Sequence, residues 1–259
     1  MYTESAPLSE RMNSHEMWIL RVAAAMCYIG HGAFGIITKA AWVPYFGVAH
    51  IPAAWAWKLM PVVGSMDILL GLCALLWPKR WLFAWMTVWA VWTALLRPLS
   101  GEPFWETLER AGNYCVPLAI FLLASGVSWA RATKVLRVAA ALLLCGHAML
   151  ALGGKAALVN HWHTLFPHMD ALLMTRAAGA VEMTMAFFIL LEPTATLCFT
   201  ACGWKLATES LFFVVGAPMW EFVERGGSYG VPLVLGLYLY HTQHRLHLVR
   251  GGPGQTRCA

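Results

Sequence analysis

Eight long apolar stretches constrain this chain more than any other feature, because they exclude a water-soluble fold. They run over 18–37, 59–77, 81–96, 113–130, 135–153, 171–191, 196–214 and 227–243. A bilayer core of roughly 30 Å takes about 20 apolar residues of helix. Within hydrocarbon a helix satisfies its own backbone hydrogen bonds. With 59% hydrophobic and 12% charged residues, the composition agrees. The expected fold is therefore an all-α polytopic membrane protein of eight transmembrane helices, with the lipid bilayer as its first partner.

The polar, acid-containing start lacks the basic head and small-residue cleavage site of a secretory signal, so the N-terminus is expected to be retained. Eight spans put both termini on one side of the membrane. Sorting Lys and Arg by loop gives ten on the side of the termini and seven on the other. The positive-inside rule then makes that side cytoplasmic. The net charge of +5 is accounted for by these loops and calls for no nucleic acid. Seven cysteines, none in a Cys-x-x-Cys pair, read as buried free thiols.

The chain also repeats itself. At an offset of 116, Arg21-Val-Ala-Ala-Ala falls on Arg137-Val-Ala-Ala-Ala, Gly30-His31 on Gly146-His147, and Lys39-Ala-Ala on Lys155-Ala-Ala. At 115, Gly64 and Asp67 fall on Gly179 and Glu182, and Pro78 on Pro193. From Pro103 to Leu118 against Pro218 to Leu233, ten of sixteen positions are identical, giving P-x-W-E-x-x-E-R-x-G-x-Y-x-V-P-L twice. The expected organisation is a cytoplasmic segment 1–17, a four-helix repeat 18–130, a second 131–249 and a flexible tail 250–259. An even number of spans per repeat makes the repeats parallel, related by a pseudo-twofold along the membrane normal. Matched residues then lie at equal depth, and a site built from them occurs twice or sits once on the axis.

Ionisable groups inside a span are costly and point to function. His31 lies about 20 Å along the first span, counted at about 1.5 Å per residue. Its expected partner is Asp67; His147 and Glu182 repeat the pair, either as a pocket or as polar glue between helices. At the outer entrances, Glu106, Glu109 and Arg110 share one helix face through i, i+3 and i, i+4 spacing, as do Glu221, Glu224 and Arg225. Each set leaves a surplus carboxylate, free to bind a cation, take a proton or pair with Lys39 or Lys155. The plainer alternative is a solvated interfacial turn with Trp105 and Trp220 as headgroup anchors. His and carboxylates could hold a divalent metal, but the Glu-x-x-His spacing of di-iron bundles is missing, so no metal ligands are assigned. His31 and His147 could ligate one haem only if the first and fifth spans face each other.

Three features occur once. Lys205 and Glu209 form an i, i+4 ion pair within the seventh span where the first repeat has Ala90 and Ala94. Asn160 to Asp170 gathers His161, His163 and His168, expected as an unordered polar loop, with zinc or copper binding as the alternative. His241, His244, Arg245 and His247 read as a basic helix end at the cytoplasmic surface.

With its R-V-A-A-A...G-H-G start, its acid near the head of the second span and its four-span length, each half resembles the DoxX-like membrane proteins. The resemblance covers nearly the whole chain and maps onto Arg21, His31 and Asp67, and onto Arg137, His147 and Glu182. It implies a role beside a thiosulfate or quinone redox system, with a redox partner subunit. The leading expectation is an outer-leaflet pocket for a quinone or small polar ligand, accessory to such a system, with quinone or haem as the conceivable cofactor. A proton- or ion-coupled transporter or channel, and a non-catalytic scaffold acting as a subunit or homo-oligomer, are the alternatives from other classes.

Overall fold

The computed structural model describes residues 14–250, so the tail from 251 and residues 1–13 of the N-terminal segment lie outside the described residues. Among those described, every regular element is helical. The first half holds α1 (His15–Ile36), a 3-10 turn (Ala40–Trp42), α2 (Val43–Val48), α3 (Ala53–Leu76), α4 (Arg80–Leu99), α5 (Trp105–Glu109) and α6 (Ala111–Ala124). The second holds α7 (Trp129–Leu152), α8 (Ala156–Leu165), α9 (Ala171–Leu191), α10 (Ala195–Glu209), α11 (Leu211–Val214), α12 (Trp220–Val223) and α13 (Gly226–Arg250). Side-chain caps set three of the starts: Ser14 accepts from Met17 N, Asp170 from Leu173 N and Thr194 from Leu197 N.

Among the described residues, six helices are long and apolar enough to cross a membrane: α1, α3, α4, α7, α9, and α10 run on into α11. The stretch 113–130 behaves differently from expectation. Its helix α6 has 14 residues and ends at Ser125, with Gly126 at φ +89° and α7 beginning at Trp129. Fourteen residues rise about 21 Å, so the apolar run joined a short helix to a turn. α13 has the length, with 25 residues, but its second half is polar from His241 onward. The segment 160–170 also departs from the unordered loop expected of it, since α8 carries it as helix to Leu165.

α1, α6, α7 and α13 form the centre, and α3, α4, α9 and α10 flank it. Of the apolar windows of α1 and α7, 67% and 61% are buried, against 22–33% for the four flanking helices. The flanking helices turn Val62, Leu69, Trp85, Val88, Phe187 and Leu190 outward. Such a continuous apolar surface suits lipid contact and would be a liability in water. The R-V-A-A-A segments owe their central place to small side chains, Ala23, Ala24, Ala139 and Ala140 being almost fully buried. In lipid, where apolar burial between helices gains little, close backbone approach takes over.

The two halves meet through equivalent residues. A Cβ on Gly112 would lie 2.7 Å from the carbonyl carbon of Gly227, and one on Gly227 would lie 2.6 Å from that of Gly112. α6 and α13 therefore touch backbone to backbone at matched positions. α12 packs on α1, and α5 packs on α7, so each half's W-E-x-x-E-R turn rests on the other half's first helix. Gly30 and Gly146 make room for this. A Cβ on Gly30 would lie 2.4 Å from Glu224 N, and one on Gly146 would lie 2.2 Å from Glu109 N.

Arg21 and Arg137, marked by the DoxX resemblance, hold helix ends. Arg21 Nε donates to Ala74 O at 2.9 Å and its terminal nitrogen to Leu75 O. Arg137 Nε reaches Leu190 O at 2.9 Å and its terminal nitrogen Leu191 O at 2.7 Å. Both arginines thus satisfy the last carbonyls of α3 and α9, where the helix dipole favours positive charge.

Candidate functional site

α1 and α3 cross closely enough to bring an imidazole to a carboxylate. Gly32 and Gly64 oppose each other so tightly that a Cβ on either would sit 2.5 Å from the other's carbonyl oxygen. His31, one residue before Gly32, then places Nδ1 2.7 Å from Asp67 Oδ2. A carboxylate only accepts, so Nδ1 carries the hydrogen. Trp89 Nε1, from α4, donates to Asp67 Oδ1 at 2.8 Å, and the Asp67 side chain is fully buried. The other face of His31 stacks on Trp42, with centroids 4.3 Å apart.

The second half repeats the geometry. His147 Nδ1 bonds Glu182 Oε2, and Trp204 Nε1 donates to Glu182 Oε1 at 3.0 Å. Both expected pairs therefore form within their own halves. The two tryptophans were not foreseen. Each stands 22 residues after its acid and on the same 115 offset, which is the signal that could have found them.

The entrance carboxylates do meet the two lysines, and they meet them across the halves: Lys39 Nζ reaches Glu221 Oε1 at 2.6 Å, and Lys155 Nζ reaches Glu106 Oε1 at 2.6 Å. Each lysine follows the helix on which the opposite turn is seated, so the crossing follows from the packing of α12 on α1 and α5 on α7. Arg110 holds Glu106 at 2.9 Å and Glu109 at 3.2 Å, and Arg225 holds Glu221 and Glu224 at the same two distances. These turns are not the solvated surface of the plainer reading, since the Glu106 side chain is 4% exposed and that of Glu221 15%. Burial alone would raise the Glu221 carboxyl, but Arg225 and Lys39 hold it down at about 2. Glu109 behaves alike: burial opposes its charge, and Lys155 and Arg110 still keep it well below the ordinary range.

What separates the halves is space. A cavity of about 260 Å³ opens in the first half, from the His31 and Asp67 pair past Trp89 to Arg97, Arg110 and, across from the other half, Glu224. Most of its wall is aromatic or aliphatic. At the matched place beside His147 and Glu182 only about 20 Å³ remains. Lys205 lies there, its Nζ 2.6 Å from Glu209 Oε1 and 3.4 Å from Glu182 Oε1, and Glu209 Oε2 in turn takes Arg225 Nε at 2.9 Å. His161, placed by sequence in a polar loop, is buried edge-on against Phe212, and burial lowers its pKa.

His31 and His147 line separate cavities, which removes the arrangement in which one haem spans both. Among the described residues no three His, Cys, Asp or Glu side chains gather as metal ligands. At the end of the bundle, His241 Nδ1 lies 3.1 Å from Glu16 Oε1. The side chains of His244, Arg245 and His247 lie outside the described residues, as does Cys258. No protein-family model, curated protein or solved structure matches this chain.

Proposed function

We propose that this chain is a DoxX-like bacterial inner-membrane protein of eight spans, two parallel four-helix repeats with cytoplasmic termini, whose first repeat binds a quinone or small polar ligand. The second repeat is its structural counterpart. One observation carries this reading: a cavity of about 260 Å³ ends on a fully buried aspartate held by an imidazole and an indole, whereas the equivalent space is filled. Such a pocket, apolar with a few convergent polar groups, is the usual form of a small-molecule site. The repeat arrangement is supported by Gly112 against Gly227 and by the reciprocal lysine pairs. The DoxX-like assignment rests on the R-V-A-A-A...G-H-G residues, and the accessory redox role and its partner subunit on that resemblance.

Binding is tested by thermal melting of the detergent-purified protein with a short-chain quinone and a panel of small polar molecules. A ligand at ten times its Kd stabilises by about 1.4 kcal/mol. In a chain of this size that raises Tm by roughly 3–6 °C. Asp67→Asn is expected to remove the shift, and Glu182→Gln to lower the baseline Tm while leaving the shift in place. A panel that moves the parent nowhere would sink the pocket.

A second reading has its own support. From His147, hydrogen-bonded to Glu182, an unbroken chain of ion pairs runs through Lys205, Glu209, Arg225 and Glu221 to Lys39 in the other half. Chains of buried titratable groups are the material of proton relays. Dye-reported proton flux in liposomes, lost in Lys205→Met, would select this reading over ligand binding.

A further inference from the structure

The filled second half shows what the open first half lacks. Trp89-Ala90-Val91-Trp92-Thr93-Ala94 aligns with Trp204-Lys205-Leu206-Ala207-Thr208-Glu209, and the flanking tryptophans do the same job on both sides. The second half gains charge at two positions, Lys205 for Ala90 and Glu209 for Ala94, and has Ala207 where the first half has Trp92. In the second half an ammonium, Lys205 Nζ, sits against Glu182 Oε1, the oxygen that also accepts from Trp204. A carboxylate, Glu209, sits against Arg225 Nε. Ammonium and carboxylate touch each other at 2.6 Å. This is a small zwitterion delivered by the chain itself.

Replacing Lys205 and Glu209 by their counterparts Ala90 and Ala94 leaves the receiving groups in place. Asp67 Oδ1 takes Trp89 as Glu182 Oε1 takes Trp204, and an oxygen with two lone pairs can accept once more. Arg110 binds Glu106 and Glu109 as Arg225 binds Glu221 and Glu224, but among the described residues no third carboxylate reaches it. Both Asp67 and Arg110 line the cavity, and so does Ala90. Arg97 also lines the cavity, where the second half has Phe212, with its guanidinium held by Glu102 at 3.2 Å and by Tyr45 Oη at 3.0 Å. Asp67 and Arg110 are thus the counterparts of Glu182 and Arg225, the groups that receive Lys205 and Glu209 in the second half. The remaining wall, including Trp42, Phe46, Leu59 and Trp92, is made for an apolar body.

We infer that the first-half cavity binds a small zwitterion with adjoining ammonium and carboxylate on an apolar body, the chemistry of an apolar amino acid, and that Lys205 and Glu209 are its built-in mimic. The ammonium lies at Asp67 and the carboxylate at Arg110. This rests on the pocket reading above and goes further by naming the ligand class.

The test uses the full chain in detergent, titrated by calorimetry with L-phenylalanine, phenethylamine, 3-phenylpropionate and a short-chain quinone. L-Phenylalanine is expected to bind, with the amine and the acid each at least tenfold weaker. The double variant Ala90→Lys with Ala94→Glu, which moves the mimic into the first half, is expected to lose L-phenylalanine binding by a hundredfold or more. Its Tm should equal or exceed the parent's, which separates occlusion from misfolding. If the graft misfolds, Ala94→Glu alone, placing a carboxylate towards Arg110, is expected to weaken L-phenylalanine at least tenfold. Quinone binding without L-phenylalanine binding would overturn the inference and leave the pocket standing. Silence with all four probes would overturn both. Undiminished L-phenylalanine binding in a folded graft would show that the mimic does not occupy the ligand's place.

Discussion

At the level of single residues, the two His and acid pairs have the same donors and different surroundings. Asp67 meets an imidazole, an indole and open space, whereas Glu182 meets an imidazole, an indole and Lys205. The entrance residues show how strongly such a neighbourhood acts on charge. Because Glu221 titrates near 2 in the folded chain, below the ordinary carboxylate value, its ionised form adds stability that is full above about pH 4.5 and disappears as pH falls through 2. Melting temperature followed from pH 5 to pH 2 is therefore expected to fall, with a contribution on the order of 1–3 kcal/mol from this group. In Glu221→Gln that part of the decline should be missing, and a parallel curve would refute it. His31, Asp67, His147 and Glu182 were legible in the sequence because a charge inside an apolar run stands out and the duplication pairs it. Trp89 and Trp204 were not, since a tryptophan on an apolar helix looks like a lipid-facing anchor until a carboxylate is found beside its N–H.

At the level of elements, membrane helices that gain little from burial depend on how near their backbones come. Gly112 lies where α6 meets α13, and any side chain there pushes against backbone that has no soft end to move aside. Gly112→Val is expected to cost about 3 kcal/mol by overpacking. That corresponds to a fall in Tm of roughly 6–12 °C. Gly203→Ala, a site with nothing within 4 Å of the new Cβ, is expected to leave Tm unchanged or slightly raised. Equal behaviour of the two variants would contradict the close contact. Elements were legible where a helix is long and evenly apolar, as with 18–37 against α1. They were misread where apolar residues continue across a break, as at Gly126, because hydropathy does not register a backbone that turns. The helix α8 was misread for the opposite reason, His161 being polar by type but buried against Phe212.

At the level of the whole molecule, the halves are interleaved more than joined end to end. Equivalence of residues was legible, because ten identities in sixteen positions say which side chain corresponds to which. Which half supplies the partner was not, since Lys39 to Glu106 and Lys39 to Glu221 look alike in a sequence; only the seating of α12 on α1 distinguishes them. Cutting the gene in the turn after Gly126 is therefore expected to give fragments that copurify in detergent when made together. Each alone is expected to lose the crossed ion pairs and to fail to give a cooperative melt. A first fragment that is monomeric, with a sharp melt by itself, would disprove the interleaving.

The mutual contact of Gly112 with Gly227 carries a consequence for symmetry. Two identical copies of one half, meeting at that glycine and each lending its acidic turn to the other, would carry two identical chambers. Two halves joined in one chain are free to differ, and these do, with Lys205 and Glu209 in one where the other has Ala90 and Ala94, a division of labour that a symmetric pair of identical chains has no means to reach.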